Sequence, residues 1–439
     1  MKSLLSSAET RFGRWVLAVF AVALLARLAF MAALGTWEFS DWDDHWHVGW
    51  ETGRIAWNVA EGHGFTMERE PDAAGEYTPT AWLAPVYPWL VSLPFRLFGS
   101  FSTTAIVWIL GFQVLVSALT AVAVMFLGRE VASHRVGVLA GVLFALAPAS
   151  INTSTRIVWC TTLFTLLAVV LVTALVRQAR SGTKKSALGI GALMGLTMLT
   201  SPVLALFYAA ISFWLMARRK LEGFAHSVLM AIGCVVVILP WVVRNHAEFG
   251  KVFLVKSNFG HELFMGNNET ADGLYHRLSE VIPETVDHET RVQLGAANEA
   301  EYSSLLGELS SEWIRANPGR FLALTWVRVS HYWRTPFISN WESFPGGTAV
   351  QSVMSWTNRL GYYATLVLAL VGVTIGWRRR HTVGPLALIL LTLPVPYYLT
   401  HLSFPRYRFP FVPFVLVLTA IALVNLGTRI TNVSRERAN

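Results

Sequence analysis

The chain has 439 residues, of which 54% are hydrophobic and only 14% charged, and its mean hydropathy is +0.47. That composition excludes a soluble globular enzyme and describes a multi-pass membrane protein. The net charge of +8 is not a nucleic-acid signature, because the basic residues stand in short clusters between apolar runs, as in cytoplasmic loops; no nucleic-acid partner is expected. Cys160 and Cys234 both lie inside apolar runs and supply neither a disulfide framework nor a metal-ligand spacing.

In chain order, Trp15 to Leu34 is an apolar run long enough to cross a bilayer, preceded by Lys2, Arg11 and Arg14. A secretory signal usually has a shorter apolar core, so this reads as a retained first span with its N-terminus in the cytoplasm. Arg27 interrupts it. An arginine deep in a span costs roughly 2.5 to 3.5 kcal/mol on insertion scales, so it either pairs with a carboxylate of another segment or snorkels to the interface.

The stretch Thr36 to Phe65 gathers acids, histidines and tryptophans, with Asp41, Asp43, Asp44 and Glu51 inside about three helical turns. An acid cluster at the mouth of a membrane bundle is costly unless it binds or activates something, although solvated acidic loops beside span ends are also common. Trp50 to Ala60 reads as a short amphipathic helix lying along the membrane and stopped by Gly62 and Gly64. In TPTAWLAPVYPW, Pro79, Pro85 and Pro88 are expected to forbid a regular helix, while Trp82, Tyr87 and Trp89 anchor the segment at the interface. The first outer loop, 35–104, is too long for a mere connector.

Further spans are expected over 105–127, 136–149, 157–176, 187–199, 203–216 and 227–243. Basic clusters at 129–135, 177–185 and 218–220 alternate with turns at 150–156 and 200–202 that are nearly free of lysine and arginine, which places the acidic loop outside. A second polar region, 244–356, returns to the same side, with helices expected over 298–316 and 321–333. Spans near 360–377, 383–399 and 411–426 close the chain. The expected fold class is an all-α polytopic membrane protein of about ten spans. It divides into an N-terminal membrane module (1–243), an extracytoplasmic region (244–356) and C-terminal membrane helices with a cytoplasmic tail (357–439). Both termini are expected in the cytoplasm, with the protein in the cytoplasmic (inner) membrane. No internal repeat of the kind that marks many transporters is visible.

Asp43, Asp44, Glu51, Arg244, His401, Arg406 and Arg408 all fall on the expected outer side. Carboxylates with arginines at headgroup level can handle phosphate: guanidinium groups bind its oxygens bidentately, and a carboxylate can take a proton from an attacking hydroxyl. The catalytic candidates are Glu51, Asp44 and Asp43. Arg406, Arg408, Arg244 and His401 are the candidate phosphate-binding groups, and Trp82, Asn267 and Tyr407 the candidate substrate contacts. Two arginines within PRYRFP depart from the positive-inside trend, which invites an anionic ligand; ordinary pairing with lipid headgroups accounts for them equally well. His45, His47 and His63 stand near carboxylates, but no HExxH-like spacing occurs, and no metal site is assigned.

Four short words, IAWNVAEGHGF, PTAWLAPVYPWL, PWVVRNHAEFG with NFGHELFMGNN, and RYRFPFVP, succeed one another over most of the chain. In them the chain resembles the GT-C superfamily of polyprenyl-phosphate-sugar-dependent glycosyltransferases, specifically the bacterial family 39 proteins related to protein O-mannosyltransferases and lipid A aminoarabinose transferases. The resemblance implies a GT-C-like bundle with interfacial helices, a catalytic acid in the first outer loop and inversion at the sugar carbon. It implies as donor a sugar on an undecaprenyl- or dolichyl-type phosphate, arginines that stabilise the departing phosphate, and a glycan, lipid or protein acceptor, with membrane lipids around it. The family acid commonly lies about two helical turns before the Ile-Ala pair matched by Ile55 and Ala56, and here that position is Val48. Asp44 comes about one turn early and Glu51 about one turn late. Glu51 shares a helix with the matched segment and is favoured as the base, with Asp44 next; an i,i+3 pair with Arg54 is its structural alternative. The competing function is a non-enzymatic carrier or flippase of lipid-linked sugars, which needs the arginines but no base.

Overall fold

A computed structural model of the chain describes residues 2–38, 49–156, 158–274, 276, 278–336, 347–377, 380–401 and 405–436. The first span is α1 (Lys2–Leu34). A π-helical turn, Gly49–Gly53, leads into the short α2 (Arg54–Glu61), which Gly62 ends in a left-handed conformation (φ +90°) with its N–H returned to the Asn58 carbonyl. Next comes α3 (Val86–Phe98), where the sequence reading expected irregular chain. Pro85 precedes its first residue, and Pro88 sits in its first turn, where a missing N–H forfeits no intrahelical bond. Proline breaks a helix by position, and here only Pro94 falls in the interior.

The membrane module continues with α4 (Thr103–Val131), α5 (His134–Leu146), α6 (Pro148–Arg156), α7 (Thr161–Ser181), α8 (Lys184–Thr200) and α9 (Ala205–Phe249). The last is two helices folded at Lys220, whose φ of +48° and ψ of −122° lie outside helical space. Its arms pack back to back: Ser227 Oγ donates to the Ser212 carbonyl at 3.4 Å, and a Cβ on Gly223 would collide with the Leu215 carbonyl. The tip of this hairpin is the basic cluster Arg218, Arg219 and Lys220.

The polar region after α9 is built by α10 (Phe259–Gly266), α11 (Leu278–Thr285), α12 (His288–Ala296), α13 (Glu299–Ala316) and α14 (Pro318–Arg334). Asn298 and Glu301 cap α13 reciprocally, and Pro318 opens α14 at a position where its fixed φ suits a helix start. Then come α15 (Gly347–Gly376), α16 (Arg380–Thr392) and α17 (Val395–Leu399), and a 3-10 turn, Pro405–Phe411, leads into α18 (Val412–Glu436).

Among the described residues seven helices are long and apolar enough to cross a membrane, and α5 with α6, bent by 50°, makes an eighth. Counting the arms of α9 separately and adding the 17-residue α8 brings the total to ten, one for each apolar run of the sequence. Residues from α1, α4, α5, α7 and α18 share one continuous apolar core. Close packing elsewhere depends on small residues: a Cβ on Gly191 of α8 would overlap the Met230 carbonyl, and one on Gly233 of α9 the Leu188 carbonyl.

Arg27 meets neither expectation, since among the described residues it takes no carboxylate and it does not reach the interface. It is fully buried, donating from Nε to Ser117 Oγ (2.8 Å), from Nη1 to the Ala23 and Ala145 carbonyls (2.8 and 3.0 Å) and from Nη2 to Ser150 Oγ (2.8 Å). The cause lies in Pro148. Lacking an N–H, it cannot continue the ladder from α5 into α6, so the helix bends and leaves carbonyls to be satisfied. Ser150 Oγ donates to that of Phe144 at 2.6 Å, and Arg27 serves that of Ala145. Arg27→Ala is expected to lower stability by on the order of 1–3 kcal/mol for each buried partner left unsatisfied. Unfolding of the purified protein in detergent, wild type against variant, measures this; an unchanged transition contradicts it.

Candidate active site

The loop between α2 and α3 and the polar region that follows α9 meet at Thr80 and Ala81. Glu299, the first residue of α13, places its carboxylate there, accepting the Ala81 N–H at 2.8 Å together with the hydroxyls of Thr80 and Ser257. Ser257 adds a backbone bond from its N–H to the Ala81 carbonyl at 3.0 Å. From the other side Arg244, near the end of α9, donates to the Thr80 carbonyl at 2.8 Å and to that of Phe65 at 3.4 Å. Its guanidinium lies over the Trp241 ring at 4.9 Å, with Phe249 and Phe65 slightly farther. An anion and a cation thus meet at Thr80, the anion also holding Ala81 and the cation Phe65, and the grip holds the neighbouring Trp82 in place.

The Trp82 indole N–H donates to Glu51 Oε1 at 2.9 Å, and its ring meets the His261 imidazole edge-on at 4.6 Å. Glu262, the next residue of α10, accepts from His401 Nε2 at 2.6 Å and from the Asn258 amide at 3.0 Å. Contacts from Glu51 through Trp82 to His261, and from His401 to Glu262, therefore meet at two neighbouring residues of α10 and give the line Glu51, Trp82, His261, Glu262, His401. Among the described residues Glu51 Oε2 has no hydrogen-bond partner.

The electrostatics divide this line in two. Burial holds the His261 pKa down at about 4 against the pull of Glu262, so its imidazole is neutral at ordinary pH, and its Nδ1 is buried without a partner among the described residues. Burial alone would raise the Glu262 carboxyl; the bond and charge of His401, with Lys256 and His261, overcome it and bring the group to about 2. Glu262 is therefore a fixed anion, while His261 beside it stays uncharged.

Of the other expected residues, Asp43 and Asp44, with His45 and His47, lie outside the described residues, as does the side chain of Arg406. Arg408 is buried and donates to the carbonyls of Tyr332 (2.7 Å), Thr335 and Pro336 (2.6 Å), closing the end of α14. Tyr407 stacks on Tyr397 with ring centroids 4.7 Å apart. Asn267 is fully buried: its amide serves the Leu263 and Leu399 carbonyls, and its oxygen accepts from Arg328. His63 stacks on Tyr77 and meets the Asn58 side chain at 3.1 Å, within the turn that ends α2. Sequence reasoning did not single out His261, Glu262 or Glu299. The one available signal was an ionisable His-Glu pair inside the otherwise apolar word NFGHELFMG.

The family model described as dolichyl-phosphate-mannose-protein mannosyltransferase matches residues 82–243, beginning at the tryptophan that bonds Glu51. No curated protein matches the chain at a significant level. Among solved structures it is similar to the archaeal oligosaccharyltransferase AglB from Archaeoglobus fulgidus in complex with an inhibitory peptide and a dolichol-phosphate. The identity is 15% over 97% of this chain and 52% of that one, with a TM-score of 0.55. The apo form of the Archaeoglobus fulgidus oligosaccharyltransferase gives 15%, the same coverage and a TM-score of 0.54. ArnT from Cupriavidus metallidurans bound to undecaprenyl phosphate gives 14% over 93% of this chain and 77% of that one, with a TM-score of 0.38. The chain spans about half the length of the oligosaccharyltransferases it matches.

The two shifted groups fix a pH signature in successive windows, both costing stability as pH falls. His261 titrates at about 4 in the folded protein and near 6.5 when unfolded, so the unfolded state takes up its proton first and stability falls as pH drops from about 6.5 to 4. Glu262, held at about 2 against an ordinary 4.5, contributes stability present above about pH 4.5 and lost as pH falls toward 2. Melting curves across pH should therefore show a shallower decline between pH 6.5 and 4 for His261→Asn. For Glu262→Gln they should show a deficit at pH 7 that closes below pH 4.5. A His261→Asn curve parallel to wild type contradicts the first assignment, and a pH-independent deficit the second.

Proposed function

We propose that this chain, which has the fold of the GT-C superfamily of membrane glycosyltransferases, transfers a sugar from a polyprenyl-phosphate donor to an acceptor at its extracytoplasmic face. The observation that carries this reading is Glu51, held through one oxygen by Trp82 with the other oxygen unpaired among the described residues, where the two outer regions meet. The donor class is supported by the matching family description and by the dolichol-phosphate in the archaeal structure. The acceptor is a glycan, a lipid or a protein presenting a nucleophile that must lose a proton.

In this reading Glu51 Oε2 takes that proton as the acceptor oxygen attacks the anomeric carbon from the side opposite the phosphate. The new bond forms as the anomeric carbon–oxygen bond breaks, the lipid phosphate leaves with the bonding pair, and the configuration inverts. Trp82 fixes the carboxylate's orientation through Oε1. His261, uncharged, walls the site without placing a cation beside the base that would weaken it. Arg244 brings the nearest described guanidinium charge to the loop that carries Trp82, and Arg406 joins it as a candidate for the departing phosphate. Asp43 and Asp44 are the alternative bases on the same loop.

Transfer by the purified full chain, reconstituted in liposomes with a panel of polyprenyl-phosphate sugars, tests this. Glu51→Gln keeps an oxygen for the Trp82 N–H and removes only the base, so kcat is expected to fall by about 10²–10⁴-fold with little change in donor KM. Undiminished transfer by Glu51→Gln contradicts the assignment, and loss in Asp44→Asn instead moves the base to Asp44. Lipid translocation by a wild type that transfers no sugar to any acceptor would establish the carrier.

A further inference from the structure

The face of α14 turned away from the candidate active site opens onto a second cavity. Leu324, Arg328 and Tyr332 form the buried face of this helix, and Arg328 ties it to Gly266, Asn267 and Leu399. On the opposite face Ser330, His331 and Arg334 look across a cavity of about 590 Å³ at Ser355, Arg359 and Tyr363 of α15. A volume of about 300–1,000 Å³ is typical of ligand sites. Two guanidinium groups and an imidazole meet the hydroxyls of Ser330, Thr335, Ser355 and Tyr363 there, and no carboxylate lines the space among the described residues. Neither Arg334 nor Arg359 has a carboxylate partner among them. Burial, followed by the charges of Arg408 and Arg334, holds His331 below its usual pKa, so the field in the cavity is positive even with the imidazole neutral. Like charges gathered without a counter-ion favour an anion.

The rim decides which anion. Trp326 lines the cavity and Trp356 lies under the Arg359 guanidinium at 5.7 Å; with Leu322 on α14 and Val353 and Leu360 on α15 they are 64–70% exposed. The α15 residues belong to a helix long and apolar enough to cross a membrane (Gln351–Gly376), where exposed apolar side chains suit acyl chains and tryptophans suit headgroup level. A free phosphate would use the basic floor alone, whereas a lipid phosphate uses floor and rim together. We propose that this cavity binds the phosphodiester headgroup of an anionic glycerophospholipid, with Arg334 and Arg359 on the phosphate oxygens and the acyl chains along Trp326, Trp356 and Leu360. The assignment is independent of the proposed sugar transfer, because it rests on the far side of α14 and on groups that the transfer reading does not use.

Thermal unfolding of the full chain in a neutral detergent, titrated separately with phosphatidylglycerol, phosphatidylcholine, polyprenyl phosphate and inorganic phosphate, tests it. Phosphatidylglycerol is expected to raise the melting temperature saturably, and the double variant Arg334→Gln/Arg359→Gln to weaken its apparent Kd at least tenfold. Ser355→Leu, which fills the cavity and leaves both arginines, is expected to do the same and guards against a folding defect in the first variant. Equal stabilisation by phosphatidylcholine or by inorganic phosphate overturns the proposal, as does undiminished phosphatidylglycerol binding in both variants. Loss of polyprenyl-phosphate binding in the variants, with phosphatidylglycerol binding retained, assigns the cavity to the donor and also overturns it. None of these readings requires sugar transfer, so failure here and failure of the Glu51 assignment are separately visible.

Discussion

The grip of Glu299 and Arg244 on Thr80 and Ala81 is the constraint on which the candidate active site depends. A loop of this length beside a membrane would otherwise keep its backbone groups on water. Here the Ala81 N–H and the Thr80 carbonyl are taken by charged side chains, and the Ala81 carbonyl by Ser257. Hydrogen bonds to charged groups contribute about 1.5–3 kcal/mol each, enough together to set where Trp82 points. Glu299 opens α13 behind a reciprocal cap, so its carboxylate also gains from the partial positive charge of a helix start. Trp82 then spans the gap between Glu51 on one side and His261 on the other.

The membrane bundle solves a related problem with neutral groups. Arg27 is held by two serine hydroxyls and two carbonyls, one of them beside the bend at Pro148, so one proline accounts for both the bent span and the arginine buried beside it. Arg328 and Arg408 repeat the pattern in the outer region, where each satisfies backbone carbonyls at helix ends. Three buried arginines thus act as cross-braces. Arg244, by contrast, stays partly exposed beside the candidate active site, and Arg334 and Arg359 line the cavity between α14 and α15.

The spans were legible because each is an apolar run with charge at its ends, and even the α9 hairpin was marked by Arg218, Arg219 and Lys220. The helix at 86–98 was misread because the effect of a proline depends on its place in a helix that composition does not reveal. Arg27 was misread because its partners are hydroxyls and carbonyls, which carry no charge pattern to search for. At the site, Glu51, Trp82 and His401 were picked out for their chemistry and their side of the membrane, and the structure joins them in one line. The joining residues, His261 and Glu262, were not, since a contact spanning 139 positions leaves no local periodicity. Arg408 drew attention as a charge between prolines, but carbonyls near the end of α14 take up its donors.

This picture makes the chemistry depend on two outer regions being joined at one seam, with a lipid-borne sugar reaching Glu51 there. The most direct test is oxidative cross-linking of Ala81→Cys with Ser257→Cys, two residues paired by a backbone hydrogen bond, in a protein whose Cys160 and Cys234 have been replaced by serine. A disulfide between the two peptides, identified by mass spectrometry after oxidation of intact membranes, is the result expected. Two free thiols that fail to link in the folded protein would contradict the account.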